Sequence, residues 1–118
     1  LGRACIFPGD EREAVTVVDV CIIRPAPEGP HPVWLMCCIN TPAFRSQIAR
    51  EATGTTRERI SRGNLGKLRI ISPPRDLQES FVRKYQTVNA LRARHRASLE
   101  KLDGHFASLQ HRAFRGEL

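Results

Sequence analysis

The stretch "KLRIISPPRDLQESFVRKY", residues 67–85, places a short apolar run, two adjacent prolines, an acidic pair and the start of a periodic segment within nineteen residues. Leu68, Ile70 and Ile71 form an apolar run, two of them β-branched, that predicts a strand, and Pro73 and Pro74 end it by removing two backbone donors. Asp76 and Glu79 stand three apart and predict a capping box, so a helix is expected from residue 76 onward. No proline follows Pro74. Downstream, Phe81, Tyr85, Val88, Arg92, His95, Leu99, Leu102, Phe106, Leu109 and Ala113 alternate at spacings of four and three, a heptad seam. A helix of this kind is on the order of 55 Å long at ~1.5 Å per residue. It is too long to bury its seam on a small domain, so the seam calls for a partner helix. Arg92 and His95 interrupt the seam's middle, where polar residues fix register or partner choice. Gly104 falls on the opposite face.

Upstream, residues 4–7 and 15–23 read as strands separated by the turn-forming "PGDERE", which predicts a hairpin. "RPAPEGPHP", residues 24–32, contains four of the eight prolines and predicts a stiff loop. "VWLMCCIN" predicts a short buried helix. Thr41 and Pro42 supply an N-cap and first-turn proline for another that reaches about Thr53, with Phe44 and Ile48 on its inner face. "TGTTRERISRGN", residues 53–64, reads as an exposed loop. The expected fold class is therefore α+β: a small mixed strand and helix domain over residues 1–75, then one long coiled-coil-type helix over 76–118.

The charge balance, 19 Lys plus Arg against 12 Asp plus Glu, with all but three of the cations Arg, makes a polyanion the first partner to consider. The excess is concentrated. Residues 45–69 contain seven basic residues and two acidic ones, interleaved with Thr, Ser and Asn. Arg45, Arg50, Thr55, Thr56, Arg57, Arg59, Arg62 and Lys67 are the candidate DNA contacts, selected by charge and loop position. A merely solvated basic loop is the competing reading of this segment.

Catalytic and metal chemistry finds little to work with. Cys5, Cys21, Cys37 and Cys38 form no C-x-x-C pair and have no histidine at zinc-finger spacing; they read as small buried hydrophobes in a reducing, cytoplasmic compartment. His31 lies in the proline-rich loop, and His95, His105 and His111 lie on the expected helix, away from any nucleophile and carboxylate. "RGNLGK" departs from the phosphate-loop spacing, since Gly63 and Gly66 are only three apart. No catalytic residue, metal ligand or cofactor is expected, and no apolar run approaches the ~20 residues a membrane span needs.

The segments "ISRGNLGKLRIISPPRDLQESFV" and "RASLEKLDGHFASLQHRAFRGEL" resemble the end of a target recognition domain and the spacer helix of the DNA-specificity subunit of type I restriction-modification enzymes. "GRACIF" and residues 17–23 are similar to the middle of such a domain. The closing "LQHRAFRGEL" and the frame of Ile60, Ser61, Leu65, Leu68, Ile70, Pro73, Pro74 and Leu77 are the most specific parts. The resemblance implies a non-catalytic chain that recognises double-stranded DNA and directs methyltransferase (modification) and restriction subunits. Its long helix would pair with an antiparallel helix from another recognition domain or a second copy. A complete subunit of that family has two recognition domains and two spacer helices, so this chain, starting at Leu1 and Gly2, looks like a C-terminal fragment or truncated product. Ser80 stands where many relatives have Gln. The alternative is a helical protein-interaction or assembly module without autonomous DNA binding; a third, enzymatic reading requires partners to complete a site.

Overall fold

The computed structural model describes residues 1–7, 9, 15–16 and 20–117. Four helices follow one another: α1 (Pro32–Ile39), α2 (Pro42–Glu51), α3 (Arg62–Lys67) and α4 (Arg75–Phe114). The chain divides into two compact units, Leu1–Val82 and Arg83–Leu118.

The first two helices start where local chemistry says they should. The His31 imidazole Nδ1 accepts from Val33 N at 3.1 Å and caps α1, with Pro32 in the first turn. The Thr41 hydroxyl accepts from Phe44 N at 3.3 Å and caps α2 ahead of Pro42. Both helices turn apolar side chains inward. Ile39, Phe44 and Ile48 are the buried core of unit 1, and Ala4, Leu35, Ile60, Leu68 and Ile70 pack against it. Trp34 on α1 meets Phe81 on α4 edge to face, with ring centroids 5.0 Å apart.

The fold is mostly helical, and the strands expected of an α+β chain do not form among the described residues. Residues 4–7, 15–16, 20–23 and 68–71 belong to no strand; residues 17–19 of the expected second strand, and most of the turn before it, lie outside the described residues. The only β-type pairing described is an isolated antiparallel bridge between Thr53 and Arg59. Side chains replace the missing ladders. Asn40 Oδ1 accepts from Ala4 N at 3.0 Å while Asn40 Nδ2 donates to Ala4 O at 2.8 Å. Gln47 makes the same pair of bonds with Arg69, accepting from its N–H at 3.1 Å and donating to its carbonyl at 3.0 Å. Trp34 Nε1 donates to Ile71 O at 2.9 Å. An amide side chain offers a backbone the same donor and acceptor as a neighbouring strand, so an extended segment can dock on a helix with no sheet present.

The start of α4 also departs from the expected capping box. The helix begins one residue earlier, at Arg75, and the Pro74 carbonyl accepts from Leu77 N and Gln78 N at 3.1 and 3.2 Å. Glu79 is drawn to Arg75, with Oε1 at 3.3 Å from Nε, instead of turning back on Asp76. Asp76 remains in the first turn, where its charge favours the helix dipole. The corner itself is fixed by Gln78, which is buried: its Oε1 accepts from His31 N and its Nε2 donates to Pro73 O, both at 2.8 Å. Arg75 adds a bond from Nη1 to Gly29 O at 3.1 Å.

Candidate functional site

The basic segment is built on α2, a tight loop and α3. Arg45 and Arg50 are exposed on α2; the Arg45 guanidinium donates to the Asn40 carbonyl at 3.3 Å, and Arg50 occupies the last turn. The loop after α2 is closed by two backbone bonds of 2.8 Å between Thr53 and Arg59. Gly54 makes that closure possible with φ of 107°, a conformation other residues rarely adopt, and a Cβ there would stand 2.5 Å from the Arg57 carbonyl oxygen. Thr55, Thr56 and Arg57 are exposed on this loop, and Arg59 is held in the bridge.

The run "RGNLGK", expected in part as loop, is helix α3. Ser61 caps it by accepting from Asn64 N at 3.0 Å, so Arg62 takes the first helical position and Lys67 the last turn. Gln47 ties the chain just beyond α3 to α2. That brings Arg50, Lys67 and Arg69 around one shallow, open cleft, together with Gln47, Glu51 and Leu68. Arg69 belongs to the basic excess of residues 45–69 but not to the candidate contacts; its place in the cleft with Arg50 comes from the Gln47 clamp, which sequence spacing does not reveal.

Unit 2 holds the remainder of the seam. Val88, Leu99, Leu102, Phe106 and Leu109 are exposed, by half or more of their surface, and Leu91 is exposed beside them. Arg92, His95 and Ala113 are exposed as well. Phe81 differs from the rest, since it is half-buried in unit 1 against Trp34; Tyr85 is half-buried.

The cysteines depart from the expectation of burial. Cys5 and Cys21 are exposed, Cys37 and Cys38 are half-buried on α1, and all four are free. Burial pushes the Cys37 and Cys38 thiols up, and for Cys38 the neighbouring Cys37 adds to the effect. Both thiols are therefore less readily ionised than an exposed cysteine. Alkylation by iodoacetamide at neutral pH is expected to modify Cys5 and Cys21 first, with mass mapping as the readout; faster modification of the α1 pair would contradict this placement. Among the described residues, no group of three or more His, Cys, Asp or Glu side chains is arranged to hold a metal ion. No helix among them is long and apolar enough to cross a membrane.

No protein-family model matches the chain, and no curated protein or solved structure matches it significantly.

Proposed function

We propose that this chain is a DNA-recognition component of a type I restriction-modification system, in which residues 1–75 are part of a target recognition domain and residues 76–118 a spacer helix. On this reading it works in the cytoplasm, has no chemistry of its own and needs no cofactor. It directs modification and restriction subunits to double-stranded DNA, and its spacer pairs with an antiparallel helix from another recognition domain or a second copy. The observation that carries the reading is the 40-residue α4, whose apolar seam is left in solvent along unit 2. A seam of that length is stable in water chiefly when another helix covers it. Exposed cations on α2, the 53–59 loop and α3, with Arg50, Lys67 and Arg69 around one cleft, support the reading because a DNA reader needs a phosphate-neutralising surface.

Salt dependence tests the DNA half of the proposal. Each neutralised phosphate contributes roughly −0.9 to the slope of log K against log salt, so Arg57→Ala with Arg59→Ala is expected to flatten the slope by about 1 to 2. An unchanged slope would remove those two residues from the interface. The exposed seam also favours the second reading, a helical assembly module, because it requires a partner whether or not the basic surface meets DNA. Stable association of the chain without any duplex binding would select that reading.

A further inference from the structure

Helix α4 has a charged face that its seam does not use. Within unit 2, Arg83, Arg94, Lys101 and Arg112 are exposed and stand eleven, seven and eleven residues apart. At ~3.6 residues per turn those intervals are close to three, two and three turns, so the four cations share one side of the helix. Thr87, Ala90, Ala97, Ser98, His105 and Ser108 lie between them on that side. The acidic residues of this region, Glu100 and Asp103, fall elsewhere around the helix. Arg83, Arg94 and Lys101 lie about a third of a turn or more from the seam, and Arg112 continues the row at the seam's edge.

An ordinary solvated helix face mixes both signs, because Glu and Lys four apart stabilise it by about 0.2–0.5 kcal/mol per pair. This face does the opposite. Among the described residues Arg83, Arg94 and Lys101 make no ion pair, and Arg112 only donates to the Glu117 carbonyl at 3.4 Å. A row of one sign with small and hydroxyl side chains between its members fits an external anion. Two geometries of anion can be compared. A bilayer would absorb the apolar seam and would need the cations along the seam's borders, where long side chains reach head groups; three of the four are turned away from it. A duplex needs cations on the side the seam leaves free, and alanine and serine between them let the helix approach the phosphates closely.

We propose that this face of α4 binds the phosphate backbone of double-stranded nucleic acid, a second electrostatic contact apart from the α2 to α3 surface. The row extends for on the order of 44 Å, the length of about a dozen base pairs. The inference rests on the DNA-binding reading above for its ligand class, and the experiment separates the two. The full chain is titrated with a fluorescent random-sequence duplex across a salt series, as wild type and as Arg94→Ala with Lys101→Ala. The double variant is expected to lower the salt slope by roughly 1.8, with helix content unchanged because alanine is a good helix former. A slope equal to wild type, in a series where Arg57→Ala with Arg59→Ala does lower it, overturns the α4 contact and leaves the first surface standing. Absence of salt-dependent duplex binding by the wild-type chain overturns both. Displacement of the duplex by polyglutamate as effective as by unlabelled duplex of equal charge assigns the row to an acidic protein surface and also overturns the proposal.

Discussion

A chain carrying Leu99→Asp and Leu102→Asp is expected to lose association through α4 altogether while unit 1 stays folded. Both leucines are more than half exposed and lie at the centre of the seam's apolar run, so their burial must come from another helix. Burying a leucine is worth about 1.5–3 kcal/mol, and an aspartate placed in an apolar seam adds an uncompensated charge. Two such changes cost on the order of 5 kcal/mol or more, which is over a thousand-fold in affinity. Mass in solution by light scattering reads the loss. The single tryptophan, Trp34, packs on Phe81 inside unit 1, so its fluorescence should be unaltered and serves as the control for folding. Retained assembly in the double variant would mean that the seam is not the pairing surface.

Gln78→Met is expected to cost roughly 2–5 kcal/mol of stability, the largest loss from any single polar side chain of unit 1. Methionine matches glutamine in length and would fill the same buried space. It can neither accept from His31 N nor donate to Pro73 O, the two 2.8 Å bonds that fasten the proline-rich loop to the beginning of α4. Each backbone group left without a partner in a buried site costs about 1–3 kcal/mol. For a small domain with a total of about 5–15 kcal/mol, that is a large share. Urea unfolding followed by Trp34 fluorescence measures it. A loss below about 0.5 kcal/mol would indicate that water takes over both partners at no penalty.

What could be read from the residues alone, and what could not, divides along physical lines. The Thr41 and Pro42 pair announced α2, and Phe44 and Ile48 were legible as its buried face because helix periodicity and capping are local. The heptad spacing announced the long helix for the same reason. Leu68, Ile70 and Ile71 were read as a strand because apolar runs with β-branched residues favour extended backbone, and extended they are in part; what sequence does not carry is whether a strand or a glutamine amide supplies the backbone's partner. Helix α3 was hidden by two glycines in six residues, although Ser61 was a sound cap signal. The capping box failed because Arg75, entering the helix one residue early, competes for the Glu79 carboxylate. As for the candidate interface, charge counting found Arg50 and Lys67 but gave no means of bringing them together with Arg69 across seventeen or more residues. The cationic face of α4 is likewise hard to see in the sequence, since its members are spaced by eleven and seven residues and fall on the side of the helix away from the heptad seam.

The most direct test of the central claim is a single titration of the full chain with random-sequence duplex over a range of salt, run with a parallel measurement of mass in solution. The account predicts an associated species that binds duplex, with log K falling linearly against log salt at a slope equivalent to several phosphates. A monomer that leaves duplex unbound even at low salt would contradict both the recognition role and the pairing role of the helix.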